Sequence, residues 1–172
     1  LLVRWFEWGC FCPVFRMHGE RSPWYEREEE FINGVRQLTS GQDNEVWSFG
    51  EDNYEILKKY LFVRERLRPY MRKTMDECSA VGAPVMRPLW YEFPDDKTAW
   101  ETEDEYTLGS SLLVVPVTEA GACERSVYLP AGAKWKYAAD GKVYEGGQRV
   151  TVSAPIDIIP VFVRDGADIE VF

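Results

Sequence analysis

The hydrophobic period of this chain changes once, at Gly82 to Pro84, and that change divides the fold in two. Before it, Asn53 to Val81 carries apolar residues at three- and four-residue steps: Tyr54, Leu57 and Leu61, then Leu67, Met71, Met75 and Cys78. This spacing predicts a long helix, capped at its start by Asp52 or Asn53 and ended by Gly82 with Pro84. Pro69 removes a backbone donor and predicts a kink near Arg64 to Arg68. After Pro84 the period shortens. Val85 to Phe93, Ser111 to Val117, Arg125 to Leu129, Lys134 to Ala138, Lys142 to Tyr144, Arg149 to Val152 and Pro160 to Val163 are short β-favouring runs. Turn residues such as Asp140-Gly141, Gly146-Gly147 and Asp165-Gly166 separate them. Seven short strands with tight turns describe a β-sandwich or small barrel.

The first half is a poor domain alone. Leu1 to Cys10 suits a short helix ending at Gly9, and Phe11 to Met17, although it contains Pro13, is apolar and short enough for a buried strand. A lone apolar strand needs sheet neighbours, which the pattern places upstream. The chain also opens on Leu1 rather than Met, directly in an amphipathic stretch, and reads as a cut chain whose targeting signal would lie further upstream. Glu20 to Glu45 is polar and acidic and long for a connection, so it is expected to be a functional or mobile loop, with room for a helical turn.

Charge narrows the partners. The net charge of −9, from 20 basic and 29 acidic residues, disfavours nucleic acid and an anionic membrane surface. The seven basic residues from Lys58 to Lys73 alternate with apolar ones and read as a solvated helix face. No apolar run approaches the 18 residues of a membrane span. Cys10 and Cys12 are too close for an ordinary bridge, and with His18, the only histidine, they are too few for a zinc site; no metal and no cofactor are expected. Cys10, Cys12, Cys78 and Cys123 are then buried free thiols, which favours a reducing, cytoplasmic setting.

The aromatic share of 15% fits either a dense core or sugar recognition on flat rings. Trp90, Trp135 and Tyr137 are accordingly core residues or a sugar platform. From pattern alone His18 is a structural histidine or a site residue, and Arg16 a buried ion-pair partner or a ligand-binding group. Asp95-Asp96 reads as a turn or helix cap.

Arg4-Trp5-Phe6-Glu7-Trp8-Gly9-Cys10-Phe11 followed by Pro13-Val14-Phe15-Arg16-Met17-His18-Gly19 resembles the end of the catalytic barrel in glycoside hydrolase family 31, which contains α-glucosidases and α-xylosidases. The likeness continues through Trp47-Ser48-Phe49-Gly50, Arg64-Glu65-Arg66-Leu67-Arg68-Pro69-Tyr70, Pro84-Val85-Met86-Arg87-Pro88-Leu89 with Glu92-Phe93-Pro94-Asp95-Asp96, Leu112-Leu113-Val114-Val115-Pro116-Val117 and Pro160-Val161-Phe162-Val163-Arg164-Asp165-Gly166. The resemblance implies an α+β fragment: residues 1–82 as the incomplete C-terminal end of a (β/α)8 catalytic barrel, with its last strand near Phe11 to His18 and Asn53 to Val81 as its final helix, and residues 83–172 as the antiparallel β-sandwich that follows.

It implies substrate-binding roles for Arg16 and His18 at the C-terminal end of that strand. It implies an α-linked oligosaccharide or glycoside as substrate. The two carboxylates of a retaining glycosidase are, in this family, aspartates that precede the Arg-Trp block, so no catalytic residue is assigned here and the chain alone is expected to be inactive. The alternative is a non-catalytic carbohydrate-binding or structural β-sandwich module. An exposed barrel-facing surface would favour self-association. The chain departs from the family pattern at Glu7, where glutamine is common, and at Ser110, where aspartate is common. Its Glu20 to Glu45 segment is longer than in many members and carries Trp24 and Tyr25, which could overhang the sugar pocket or pack on the surface.

Overall fold

A computed structural model describes residues 1–17, 30–37 and 43–172. Helix α1 (Leu2–Cys10) is followed by a hairpin of β1 (Glu30–Ile32) and β2 (Val35–Gln37), then a 3-10 turn at Val46–Phe49. Two helices come next, α2 (Glu51–Arg66) and α3 (Arg68–Val81). The remaining chain forms β3 (Met86–Pro88), the short helices α4 (Leu89–Glu92) and α5 (Lys97–Glu101), β4 (Tyr106–Leu108), β5 (Leu112–Val114), β6 (Glu124–Leu129), β7 (Lys134–Tyr137), β8 (Val143–Glu145), β9 (Gln148–Ser153) and β10 (Val161–Arg164).

The long helical signal is two helices. Pro69 sits in the first turn of α3, where its missing N–H costs nothing, and the break falls at Leu67 just before it. Leu67 keeps helical dihedrals and Met71 N still donates to its carbonyl at 2.8 Å, so the stripe re-phases without the chain leaving the core. Gly82 ends α3 in the left-handed region (φ +75°) and donates to Cys78 O at 2.9 Å, as the glycine predicts. The expected caps at Asp52 and Asn53 are not used: Gly50 holds the cap position, Asp52 lies in the first turn, and Asn53 Nδ2 donates back to Phe49 O.

Three further expectations are corrected. Residues 11–17 form a turn and bend and then irregular backbone rather than a strand. A strand is a property of a hydrogen-bonded pair, and no described segment pairs with this one. Val85 to Phe93 is half strand and half helix, because the chain turns at Pro88 and buries Leu89 and Phe93 at a four-residue step. Within Glu20 to Glu45, residues 30–37 form a hairpin closed by Asn33 and Gly34 with φ of +54° and +79°, the signature of a two-residue primed turn.

The β-half is one antiparallel sheet in the order β3-β4-β5-β10-β7-β8, with the β6-β9 ribbon packed on one face. Its central strands are buried on both faces. Leu112 and Val114 of β5 and Val161 and Val163 of β10 join Val3, Phe6, Leu57, Tyr60, Val63 and Met71 from the three long helices in one core. Leu113 and Phe162, one residue out of phase, join Trp135, Tyr137, Val127, Leu129 and Val152 in a second core under the ribbon. This explains why Leu112 to Val115 and Val161 to Val163 read as unbroken apolar runs rather than alternating ones. The helices and the sheet thus share a core, and each fully buried Leu or Phe there contributes about 1.5–3 kcal/mol of burial free energy.

Candidate functional site

The segment leaving α1 is held from three sides. The N–H groups of Phe11 and Cys12 close the helix end on the carbonyls of Trp8 (2.9 Å) and Gly9 (3.1 Å). Phe15 then folds back edge-on against Phe6, with ring centroids 4.7 Å apart at 74°. Gly9 makes room for it, since a Cβ at that position would stand 3.0 Å from the Phe15 ring. From α2, Arg64 reaches across: Nη1 donates to the carbonyls of Cys10 (2.8 Å) and Cys12 (2.6 Å), and Nη2 to that of Pro13 (2.9 Å). From β4, the Tyr106 hydroxyl donates to Phe11 O at 3.2 Å.

This scaffold presents Arg16, which is exposed on a cavity of about 540 Å³ lined mainly by Trp5, Phe6, Trp8, Phe15 and Met17. His18 lies outside the described residues, as do Trp24 and Tyr25. Among the described residues lining the cavity there is no Asp or Glu.

The cysteines nearby are structural. Cys10 Sγ donates to Tyr60 O at 3.3 Å, and burial pushes its thiol up to about 12 despite the nearby Arg64 guanidinium. Burial likewise raises the Cys12 thiol. Neither group supplies a thiolate near neutral pH. Cys78 is only half-buried and Cys123 is exposed, which corrects the expectation that all four are buried. No trio of described His, Cys, Asp or Glu residues could hold a metal ion.

Two carboxylates, Glu7 and Glu105, are buried in positions that no sequence pattern singles out. Burial raises each to about 7, against hydrogen bonds and opposite charges that pull the other way. Perturbed carboxyls mark active sites in many proteins, but these are tied into the frame. Glu7 accepts from Arg4 Nη1 at 3.0 Å, and Arg4 also donates to the carbonyls of Ile158, Ala122 and Ala154, joining α1 to the loops of the β-half. Glu105 accepts from Tyr128 N at 2.7 Å. Asp96 is a cap, as its position suggested. One oxygen accepts from the N–H groups of Thr98 and Ala99, the other from Tyr128 Oη (2.6 Å) and Ala131 N (2.9 Å). Burial pushes its carboxyl upward, yet these hydrogen bonds hold it below the ordinary value.

Burial removes Trp135 and Tyr137 from the proposed sugar platform. Trp135 and Tyr137 lie in the second core, with Trp135 Nε1 donating to Pro130 O and Tyr137 Oη to Ser153 O. Trp90 is exposed, but it stacks on Trp100 with centroids 5.2 Å apart. The solvated-face reading of the basic residues holds for Arg66, Arg68, Arg72 and Lys73. It fails for Arg64 and Lys59, which turn inward; Lys59 donates to Asp157 O at 2.8 Å. The signal for Arg64 was its place one residue after the buried Val63 and three before Leu67, at the flank of the apolar stripe.

The model of the glycosyl hydrolases family 31 TIM-barrel domain matches residues 1–74, and that of the family 31 C-terminal domain matches residues 82–169. The chain is 33% identical over 167 residues to an alpha-xylosidase of Saccharolobus solfataricus, covering 97% of this chain and 20% of the relative. It is 34% identical over 169 residues to alpha-glucosidase 2 of Bacillus thermoamyloliquefaciens, covering 98% and 19%. The crystal structure of a GH31 alpha-xylosidase from a soil metagenome, complexed with xylose, superposes with a TM-score of 0.91 at 48% identity, over 96% of this chain and 25% of that one. The chain therefore spans about a fifth of the length of the curated relatives it matches. With the end of a TIM barrel and the C-terminal domain matched in order along it, the chain belongs to glycosyl hydrolase family 31.

Proposed function

We propose that this chain is the C-terminal part of a retaining α-glycoside hydrolase of the α-glucosidase or α-xylosidase type, in which Arg16 and His18 form one wall of the sugar pocket. The observation that carries the reading is the exposed Arg16 on an aromatic-lined cavity, in the segment matched by the TIM-barrel model. Aromatic faces take the apolar faces of a sugar ring and a guanidinium takes its hydroxyls. In this reading the acid/base and nucleophile belong to other segments of the parent enzyme. Residues 1–82 then act as the barrel end and residues 83–172 as its β-sandwich support.

In the full-length enzyme, Arg16→Ala and His18→Ala are each expected to lower kcat/KM on aryl α-glucosides or α-xylosides by about 10- to 100-fold, the value of a charged hydrogen bond. The 172-residue chain alone is expected to be inactive. Turnover by the isolated chain would refute the division of labour, and a full-length enzyme inert towards every α-glycoside would refute the activity.

The same surface predicts the behaviour of the isolated chain. Trp5 and Val14, on the cavity, are 59% and 77% exposed, and such apolar patches associate. Sedimentation velocity is expected to show self-association that grows with concentration; a monomer throughout would contradict this.

A further inference from the structure

We propose that Arg64 is a positioning residue for sugar binding: by gripping the carbonyls of Cys10, Cys12 and Pro13 it sets the direction in which the following residues present Arg16. The proposal rests on Arg16 being a substrate-binding group.

The geometry is that of a clamp. Three carbonyls at the end of α1 and just beyond it would otherwise need water or a further turn of helix. One planar fork on α2 takes all three, at 2.6 to 2.9 Å, within a few residues of Arg16. The same guanidinium carbon lies 5.9 Å from the centre of the Phe15 ring, the residue that directly precedes Arg16. Arg64 is therefore in register with both the backbone and the side chain that aim Arg16. A lysine has one point-like donor head and cannot hold three divergent carbonyls in one plane.

Arg64 is half-buried and bonded to neutral carbonyls, and no carboxylate forms an ion pair with it among the described residues. Desolvation lowers its pKa, with the nearby Cys10 and Cys12 working in the other direction. The carbonyls at the C-terminal end of α1 offset that desolvation, since this end of a helix favours a cation, and the charge is committed to fixing this backbone.

The test uses the full-length enzyme, with KM and kcat on aryl α-glycosides and the melting temperature as readouts. R64K is expected to fold and to raise KM by about tenfold or more, because misplacing a binding group by a fraction of an ångström to one ångström is costly. V152A, in the ribbon remote from the clamp, serves as the stability-matched control and is expected to leave KM within about twofold. R64Q, which keeps two amide donors without the charge, is the second variant, expected to fall on the same side as R64K. In a double-mutant cycle, R64K added to R16A is expected to cost little further, since a positioning residue acts through the group it positions. An unchanged KM in both Arg64 variants overturns the proposal, and so does a loss of the same factor in the R16A background. An inactive wild-type enzyme overturns the glycosidase reading and this inference with it, whereas an active enzyme indifferent to Arg64 overturns this inference alone.

Discussion

Trp135→Ala is expected to destabilise the chain by about 3–5 kcal/mol, the range for truncating a large buried aromatic. Trp135 is fully buried in β7, a strand flanked by β10 and β8, with Arg164 and Tyr144 opposite it on the neighbouring strands. Its ring packs against Phe93 at 5.9 Å, and its Nε1 satisfies Pro130 O at 3.1 Å. Removing it therefore opens a cavity between the sheet and the β6-β9 ribbon and also leaves a carbonyl without its donor, which adds to the cost. Domains of ordinary stability have about 5–15 kcal/mol in total, so most of the margin disappears. Urea denaturation followed by circular dichroism would read this as a lower midpoint with an unchanged slope. A loss below about 1 kcal/mol would contradict the packing described. Any sugar binding that disappears in this variant is expected to disappear with the fold, not before it.

The second large effect is a dependence on pH. Glu7 and Glu105 have folded-state values of about 7 against an ordinary 4.5, raised first by burial. A carboxyl raised on folding contributes stability that is fully present below the unfolded value and is lost as pH rises through the folded one. Stability is therefore expected to fall between about pH 4.5 and 7, by up to ~3 kcal/mol for each group at 1.36 kcal/mol per unit. Both side chains are nearly inaccessible, at 1% and 4% exposure, and each keeps one oxygen without a hydrogen-bond partner in the structure. Asp96 works in the opposite sense: its depressed carboxyl favours the fold above its unfolded value and loses that contribution as pH falls through the folded one.

Glu7→Gln isolates the first group. Glutamine keeps an oxygen for Arg4 and never ionises, so the variant should be the more stable protein at pH 8 and lose that advantage by pH 5. Glutamine is also the residue common at this position in the resembling family. Urea midpoints of wild type, E7Q and E105Q at pH 5 and pH 8 would check this. Parallel pH profiles for wild type and E7Q would mean that Glu7 ionises freely in the folded state.

Much of the outcome was legible along the chain because it depends on neighbours close in sequence. Gly82 stops α3 because only its backbone readily enters the left-handed region, and the period change at Pro84 marks where helices give way to sheet. The Asn33-Gly34 pair also carries a hairpin signal, although the polarity of its segment suggests only a loop. The three-residue strand β4 left no periodic signal, being too short to show alternation.

What distant residues contribute could not be read this way. Whether Trp135 faces water or a second layer depends on the ribbon folded over it, and Phe162 differs from Val161 and Val163 only in which side of β10 it meets. Arg64 looks like any other basic residue on a helix until α1 brings three carbonyls within its reach. Residues 11–17 have the composition of a strand, but a ladder needs a partner, and in this structure their backbone is held by a guanidinium and a tyrosine hydroxyl instead. Local dihedral preference and period place the elements; burial, pairing and charge compensation belong to pairs of elements, and so they exist only once the chain has packed.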